Sequence, residues 1–322
     1  MQFLFQPLNH AHAIRAWTLA NNARFAISGD DFGLTLWRGD RRLRLRPRFT
    51  TRIGTTLAYT EDIDRAIGFV GWCPAAVRTW PLSTDKVAFK RHCLAAGLRS
   101  PQLATTGAAV PFPHLIKPRS GSFGRGILGP FPTSMAGASP LVPPDHFVER
   151  FVPGRAAKCW YWNARPVALE VLEPPHVTGD GRRTVAQLLA EPRGSFDRAL
   201  PVEDALSLLA LHGLLPESVL ASGARASVGY RYVTPFDRMT LLDRDCWASA
   251  DPAWRETFSR AGEVAHAALP HEYLADTSYT LDAVIDEDDT PWFLEMNSHP
   301  MLHPAIYAPM LDDLLGDGGD AR

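Results

Sequence analysis

Two strand-like segments separated by a short acidic turn limit what this chain can fold into more than any other feature. The segments read YTLDAVI (279–285) and PWFLEMN (291–297), and DEDDT lies between them. This arrangement predicts an antiparallel β-hairpin. If the hairpin folds about the midpoint between residues 288 and 289, Asp282 and Glu295 lie directly opposite each other on one face of the sheet. Asn297, two residues beyond Glu295, points to the same face.

Asp282, Glu295 and Asn297 offer only oxygen atoms as ligands, and two carboxylates on one face repel each other unless a cation lies between them. Mg²⁺ suits such a set, because it binds one or two carboxylates and completes its shell with water and phosphate oxygens. We therefore predict a metal site on this face. The alternative is a polar, solvent-exposed face of the hairpin, and to that alternative we assign the acids of the turn at positions 286–289.

A lysine followed by a glycine-rich loop lies in HLIKPRSGSFGRGILGP, residues 114–130. Lys117 ends a short apolar run, and Gly121, Gly124 and Gly126 follow it in the order G-x-x-G-x-G. That order is neither a Walker A loop nor the dinucleotide-binding pattern G-x-G-x-x-G. Alone it indicates flexibility, but a cation and backbone N–H groups beside a magnesium site can receive phosphates. Together the two segments predict a nucleoside triphosphate held between a mobile loop and a metal-binding hairpin.

Caps and turns mark helices and hairpins in the rest of the chain. PLSTDKVAFKRHCLAAGLRSP (81–101) predicts a helix with Ser83 or Thr84 as its N-cap, ended by Gly97 and Pro101. The other expected elements are a hairpin turning at Asn163-Ala164, a helix after Thr184, a helix at 202–214, a helix after Asp251 and a frayed tail at 314–322.

Residues 1–82 predict a self-contained α/β piece, and one of its strands carries an arginine face. In RRLRLRPRF (41–49), alternation places four arginines on the face opposite the leucines: Arg42, Arg44, Arg46 and Arg48. One interpretation is a solvated edge strand protected by charge. Another is a docking face for an acidic substrate or partner, or for nucleic acid. His10 and His12, near the start of the chain, are assigned to solvent.

The composition is that of an ordinary globular protein. Hydrophobic residues make up 46% of the 322 residues, charged residues make up 21%, and the formal net charge is −2. Such a charge gives the whole molecule no attraction to nucleic acid or membranes. The four cysteines form no CxxC pair, which favours reduced thiols and a cytoplasmic location. No apolar run reaches the roughly 18 residues of a membrane span.

The order of five short motifs resembles the ATP-grasp superfamily of ligases. These motifs are STDKVAFKRHCLAAGLRSP, HLIKPRSGSFGRGI, FVERFVPG, LDAVI and FLEMNSHP. In addition, HVTGDGRRTVAQLLAE is similar to a segment of cyanophycin synthetases and glutathione-synthetase-like ligases. The resemblance implies an α/β fold of α+β lobes in which ATP lies between two sheet-containing lobes. Its expected parts are an N-terminal domain (1–82), a small lobe with the glycine-rich flap (83–150) and a carboxyl-terminal lobe with the metal site (151–313).

The resemblance also implies roles for individual residues. Lys86 and Lys117 would contact the α- and β-phosphates of ATP. The metal ligands Asp282, Glu295 and Asn297 would bind two Mg²⁺ ions, for which Mn²⁺ could substitute. The flap over the triphosphate would run from Ser120 to Gly126 and include Gly121, Ser122, Phe123 and Gly124. At the adenine, Glu149 would accept from the amino group, and the backbone of Arg150 and Val152 would pair with the base edge.

The activity implied by the resemblance is ATP-dependent formation of an amide or peptide bond. A carboxylate would be phosphorylated to an acyl phosphate, an amine would attack it, and ADP and phosphate would be released. The expected partners are therefore small carboxylates and amines, such as amino acids or peptides. A kinase-like phosphotransferase and a non-catalytic nucleotide-binding module are the alternatives. The oligomeric state is open, and a homodimer is allowed.

Two positions depart from the family's pattern. Ala156 stands where the family usually places an acid that holds the ribose hydroxyls, and Thr280 stands where close relatives often place an arginine. Arg231 is our candidate for the missing cation at the acyl phosphate. Lys117 and Arg231 are thus the expected catalytic residues.

Overall fold

The computed structural model of the chain describes residues 5–54, 56–76, 78–104, 109–121, 126–133, 142–191, 202–230 and 244–316. Within these ranges the chain forms four antiparallel sheets with helices packed beside them, which confirms the predicted α/β fold of α+β lobes. The helices are α1 (Phe5–Ala20), α2 (Pro81–Thr84), α3 (Lys86–Ala95), α4 (Val185–Leu189), α5 (Val202–Leu211), α6 (Pro252–Ala267) and α7 (Tyr307–Leu315). In the described part of the chain, no helix is both long and apolar enough to cross a membrane.

The amino-terminal sheet is built around one long strand. Its strands are β1 (Arg24–Ile27), β2 (Leu34–Arg38), β3 (Arg41–Ile53), β4 (Thr56–Thr60) and β5 (Gly68–Cys73). The first part of β3 pairs with β2, and the later part pairs with β5 and β4. One long strand therefore joins two sections of the sheet.

The first and the last described helices both contribute to the core of this sheet. Trp17 of α1 and Trp72 of β5 belong to the same buried cluster as Tyr307, Leu311 and Leu315 of α7. The described residues of the segment 1–82 are therefore not packed independently of the rest of the chain. Helix α7 also continues through the first residues of the predicted tail, and its last residue, Leu315, is buried. His10, which we assigned to solvent, is buried, and its ring bonds to the Tyr307 hydroxyl (2.9 Å).

The arginine face of β3 is only partly as expected. Arg42, Arg44 and Arg46 are exposed; Arg44 pairs with Asp31, and Arg46 lies 3.3 Å from Glu61. This agrees with a solvated face. The prediction was wrong for Arg48, which is buried and donates to the Ala75 carbonyl (3.0 Å). A register shift between Arg48 and Phe49, where β3 pairs with β5, interrupts the strict alternation there.

The second sheet lies within the segment predicted as the small lobe (83–150) and has the strand order β6-β9-β7-β8. Its strands are β6 (Leu103–Ala104), β7 (His114–Pro118), β8 (Leu128–Phe131) and β9 (His146–Arg150). Helix α3 precedes this sheet in the chain, and its N-cap is Asp85, whose carboxylate accepts from the Val87 and Ala88 N–H groups. The prediction of Ser83 or Thr84 as cap was wrong, because these residues form α2 and the chain turns extended at Asp85.

The third sheet lies within the segment predicted as the carboxyl-terminal lobe (151–313) and has the order β11-β10-β14-β15. Its strands are β10 (Arg155–Trp162), β11 (Arg165–Leu172), β14 (Ser278–Ile285) and β15 (Pro291–Asn297). Helix α6 packs behind it, where Phe258 meets Tyr161, Tyr279 and Phe293 in one core. The hairpin turn at Asn163 and the helix cap at Asp251 are confirmed.

The smallest sheet pairs β12 (His176–Thr178) with β13 (Arg225–Ser227). Helices α4 and α5 share a separate core with these strands. The predicted cap Thr184 is confirmed, because its hydroxyl accepts from the Gln187 N–H at the start of α4.

The register of the β14–β15 hairpin confirms that Asp282 and Glu295 lie directly opposite each other. Near the turn, the pairing is centred on residue 288, as Ile285 opposite Pro291 shows. A bulge between Asp282 and Ala283 then shifts the register, and beyond it the expected midpoint between residues 288 and 289 holds. Asn297 consequently pairs with Thr280 in the β14–β15 ladder.

Candidate functional site

A cavity of about 680 Å³ is lined by residues of both the small-lobe sheet and the carboxyl-terminal sheet. The predicted site residues that line it are Lys86, Lys117, Ser120, Gly121, Glu149, Arg150, Val152, Asp282, Glu295 and Asn297. Gly126 is among the described residues but does not line the cavity, whereas its neighbour Ile127 does. Ser122, Phe123, Gly124 and Arg231 lie outside the described residues, so their roles stay predictions.

The metal face of the cavity, as we call Asp282, Glu295 and Asn297, has the expected donors. The Asn297 amide donates to Asp282 Oδ2 (3.2 Å), which ties the third residue to the first. Burial raises the pKa of Asp282, and the neighbouring Glu295 carboxylate raises it further, whereas Lys158 acts against them. A face with two crowded carboxylates and an amide oxygen fits Mg²⁺.

No group of three or more His, Cys, Asp or Glu side chains within the described residues is arranged to hold a metal alone. A metal at this face would therefore take further oxygens from water or substrate, as Mg²⁺ commonly does.

Two lysines neutralise the metal face. Lys86 Nζ lies 3.0 Å from Glu295 Oε2, and it also donates to the Gly121 carbonyl of the glycine-rich loop (2.6 Å). Lys158 Nζ lies 2.8 Å from Asp282 Oδ1. Each carboxylate of the metal face is thus paired with an ammonium group, which a metal could displace and which could then bind a phosphate.

A second charged cluster is buried and also borders the cavity. The Glu149 carboxylate lies between two ammonium groups, 2.7 Å from Lys90 and 2.5 Å from Lys117. Burial raises the pKa of Glu149, but Lys117 and Lys90 outweigh burial and hold it below its usual value. Burial alone would lower the pKa of Lys117, but Glu149 outweighs burial and raises this pKa, so the lysine stays charged. Burial does lower the pKa of Lys90, despite Glu149.

Four charged residues of the cavity were missed by the sequence analysis: Lys90, Lys158, Glu170 and Arg244. Lys90 carried a usable signal, because it lies one helical turn after Lys86 on α3 and so shares its face. Lys158 and Glu170 gave no such signal. Their place in the cavity depends on β10 pairing with β14, a strand that is distant in the chain.

The two histidines after the metal face have different surroundings. His299 lines the cavity, its Nδ1 bonds to the Ser298 hydroxyl (3.0 Å), and its carbonyl accepts from the Tyr59 hydroxyl (2.6 Å). Tyr59 brings the amino-terminal sheet to the cavity wall. His303 is fully buried, and its Nδ1 accepts from the Ala305 N–H. His303 is thus a structural histidine.

Comparison with solved structures finds likenesses at low identity, including the following three. A bifunctional glutathione synthetase from Pasteurella multocida is 16% identical, with a TM-score of 0.41, over 94% of this chain and 40% of the other. A D-alanine–D-alanine ligase from Bacillus anthracis is 13% identical, with a TM-score of 0.34, over 72% and 62%. An ATP-grasp superfamily protein from Archaeoglobus fulgidus is 13% identical, with a TM-score of 0.33, over 73% and 53%.

The chain spans only 40% to 62% of the length of these three proteins. No protein-family model matches the chain, and no curated protein matches its sequence. Because all three TM-scores lie below 0.5, the function has to be inferred from the residues of the site.

Proposed function

We propose that the protein is an ATP-dependent carboxylate–amine ligase of the ATP-grasp type, which forms an amide or peptide bond through an acyl phosphate and releases ADP and phosphate. The position of Lys86 carries this proposal. Its ammonium group contacts the glycine-rich loop at Gly121 (2.6 Å) and the metal face at Glu295 (3.0 Å). The segment that would receive phosphates and the segment that would bind magnesium therefore meet at one lysine.

Nucleotide binding would use both ends of the cavity. Lys86 and Lys117 would contact phosphates, and the loop that begins at Ser120 would cover them. At the other end, the Arg150 N–H already donates to the Gln102 carbonyl (2.8 Å). The adenine edge would therefore meet the Arg150 carbonyl and the Val152 N–H. The Glu149 carboxylate accepts from two lysines, so an adenine amino group would use its remaining lone pairs.

Asp282, Glu295 and Asn297 would hold Mg²⁺, which supplies positive charge to the phosphoryl group during transfer. The contribution of the chain's own residues is electrostatic and positional. Phosphorylating a carboxylate brings two anions together, and the lysines of the cavity oppose that repulsion in a site partly shielded from water. Such a transfer requires no nucleophile from the protein, because the substrate carboxylate attacks.

The two departures from the family's pattern both lie in the described part of the chain, and one of them borders the cavity. Ala156 lines it, so the ribose hydroxyls meet no acid at that position. Thr280 is fully buried and uncharged, so a cation at the acyl phosphate has to come from another residue. Arg231 stays our sequence-based candidate, although it lies outside the described residues.

The test is an assay of ADP and amide products after mixing the protein with ATP, Mg²⁺ and pooled amino acids. We expect ADP and a new amide, with ADP release dependent on the amine. Glu295→Gln, which removes one metal-face carboxylate, should lower turnover by about 10²-fold or more. Glu287→Gln, in the exposed turn of the same hairpin, is the matched control and should keep wild-type turnover.

Other outcomes separate the alternatives. ADP and a phosphorylated product without any amide would identify a phosphotransferase. No ADP with any mixture, from protein that still binds ATP, would contradict both enzymatic proposals and leave a nucleotide-binding module.

A further inference from the structure

A row of four charged side chains crosses the sheet that lines the cavity. Glu170 of β11 pairs in register with Lys158 of β10, Lys158 pairs with Asp282 of β14, and Asp282 pairs with Glu295 of β15. All four line the cavity. The row has an acid on each side of Lys158, so the lysine lies where the sheet concentrates negative charge.

Lys158 contacts the same carboxylate that the proposed function gives to a metal. Its Nζ lies 2.8 Å from Asp282 Oδ1, and its side chain is 17% exposed. An ammonium group and a divalent cation cannot both lie within about 3 Å of one carboxylate oxygen without strong mutual repulsion. A metal that binds Asp282 must therefore displace the Lys158 ammonium, at least from that oxygen.

We propose that Lys158 is a phosphate-binding residue held in place by Asp282 until a metal takes that carboxylate. This inference rests on the proposed function, because it assumes that a metal and a triphosphate share the cavity. The flexible stem of lysine lets a compact charge move from a carboxylate to a phosphate without moving the strand. Lys158 would also supply a cation near Thr280, which is buried and uncharged. Thr280 pairs with Trp160, which lies two residues after Lys158 on β10.

The proposal predicts two binding effects of opposite sign. Without Lys158, a metal meets no competing cation at Asp282, so metal alone should bind more tightly. The triphosphate, in contrast, loses one cationic partner and should bind more weakly. A lysine with a merely structural role would not separate the two affinities in this way, because damage to the face would weaken both.

The experiment titrates Mn²⁺ into Lys158→Met without nucleotide, with free Mn²⁺ followed by electron paramagnetic resonance, and then measures ATP binding at saturating Mn²⁺. We expect the Mn²⁺ Kd to fall by about tenfold and the ATP Kd to rise by about tenfold. Arg155→Met is the matched control. Arg155 lies on β10, as Lys158 does, and pairs with Asp289 in the turn of the β14–β15 hairpin, outside the metal face. Its replacement should change neither affinity.

Lys158→Arg is the conservative variant and should bind both ligands within about threefold of wild type, because it keeps the charge. Weaker or unchanged Mn²⁺ binding in Lys158→Met, with a thermal unfolding transition like that of wild type, would overturn the proposal. Wild-type protein that binds no Mn²⁺ would also overturn it. Neither readout needs turnover, so an inactive but metal-binding protein would contradict the ligase proposal alone.

Discussion

At the scale of single residues, the buried carboxylate of Glu149 on β9 connects two lysines, one on α3 and one on β7. Two ammonium groups, those of Lys90 and Lys117, lie within 2.7 Å of its oxygens. Ion pairs of this kind stabilise a fold little when compared with apolar packing, but the loss of one partner leaves an uncompensated buried charge. Replacing Glu149 by a neutral residue would leave two such charges, those of Lys90 and Lys117.

We therefore predict that Glu149→Gln lowers the free energy of unfolding at pH 7 by about 3–5 kcal/mol. The lysines hold the folded-state pKa of Glu149 below its ordinary value of 4.5. A lowered pKa means that the stabilising contribution is present above pH 4.5 and is lost as the pH falls through the folded-state pKa. Urea unfolding at pH 7 and at pH 3 should thus show a difference between the two proteins that shrinks in acid.

Glu61→Gln is the control for this prediction, since Glu61 pairs with Arg46 at the exposed surface. It should change stability by less than about 1 kcal/mol at either pH. A Glu149→Gln protein as stable as wild type at pH 7 would show that the buried cluster does not need its carboxylate.

Residues differ in how far the sequence alone could place them. Asp282 and Glu295 could be placed opposite each other because both lie on one hairpin, but the bulge after Asp282 that brings them into register could not be predicted. Lys158 could not be placed, because its contact with Asp282 depends on β10 and β14 pairing across a long stretch of chain. His10 was misplaced for a similar reason, since its partner Tyr307 lies at the other end of the sequence.

At the scale of elements, the spacing of β10 and β14 depends on a glycine just before β10. Gly154 directly precedes β10, and a Cβ built on it would lie 2.2 Å from the Ile285 carbonyl oxygen. Arg155, the next residue, pairs with Ile285 in the β10–β14 ladder. A side chain at position 154 would therefore push apart the two strands that carry Lys158 and Asp282.

We predict that Gly154→Ala destabilises the protein by about 1–3 kcal/mol, as overpacking against a rigid backbone does. Thermal or urea unfolding measures this directly. Gly29→Ala is the matched control, because a Cβ there meets no atom within 4 Å, and it should stay within about 0.5 kcal/mol of wild type. Equal stability of the two variants would mean that the strands adjust to the methyl group without cost.

Local signals predicted elements well where caps and turns are complete. The helices after Thr184 and Asp251 begin as expected, because a side-chain oxygen and a following helical pattern are both present. Helix α1 was not predicted, since its apolar residues do not form one stripe: Leu8 and Leu19 are exposed, whereas Ile14 and Trp17 are buried. That helix is held by its contacts with β5 and α7 and less by its own pattern.

At the scale of the whole molecule, the last helix closes the first sheet. Tyr307, Met310, Leu311 and Leu315 of α7 are each at most 2% exposed. Polar contacts fix the same helix: Asp312 accepts from the Trp17 indole, and Asp313 accepts from the Trp162 indole, both at 2.7 Å. Through Trp162, α7 also reaches β10 of the carboxyl-terminal sheet. Helix α1, helix α7 and the sheet of the metal face therefore form one packed unit.

Removal of α7 should consequently unfold more than the amino-terminal sheet. Burial of one large apolar side chain contributes about 1.5–3 kcal/mol, and four of them together reach the net stability of an ordinary protein, about 5–15 kcal/mol. We predict that a chain ending at residue 303 is insoluble or lacks a cooperative thermal transition, whereas a chain ending at residue 316, which keeps α7, unfolds like the full-length protein. If the chain ending at residue 303 melted cooperatively at the full-length temperature, the sheet would hold its core without α7, and residues 1–82 would be self-contained after all.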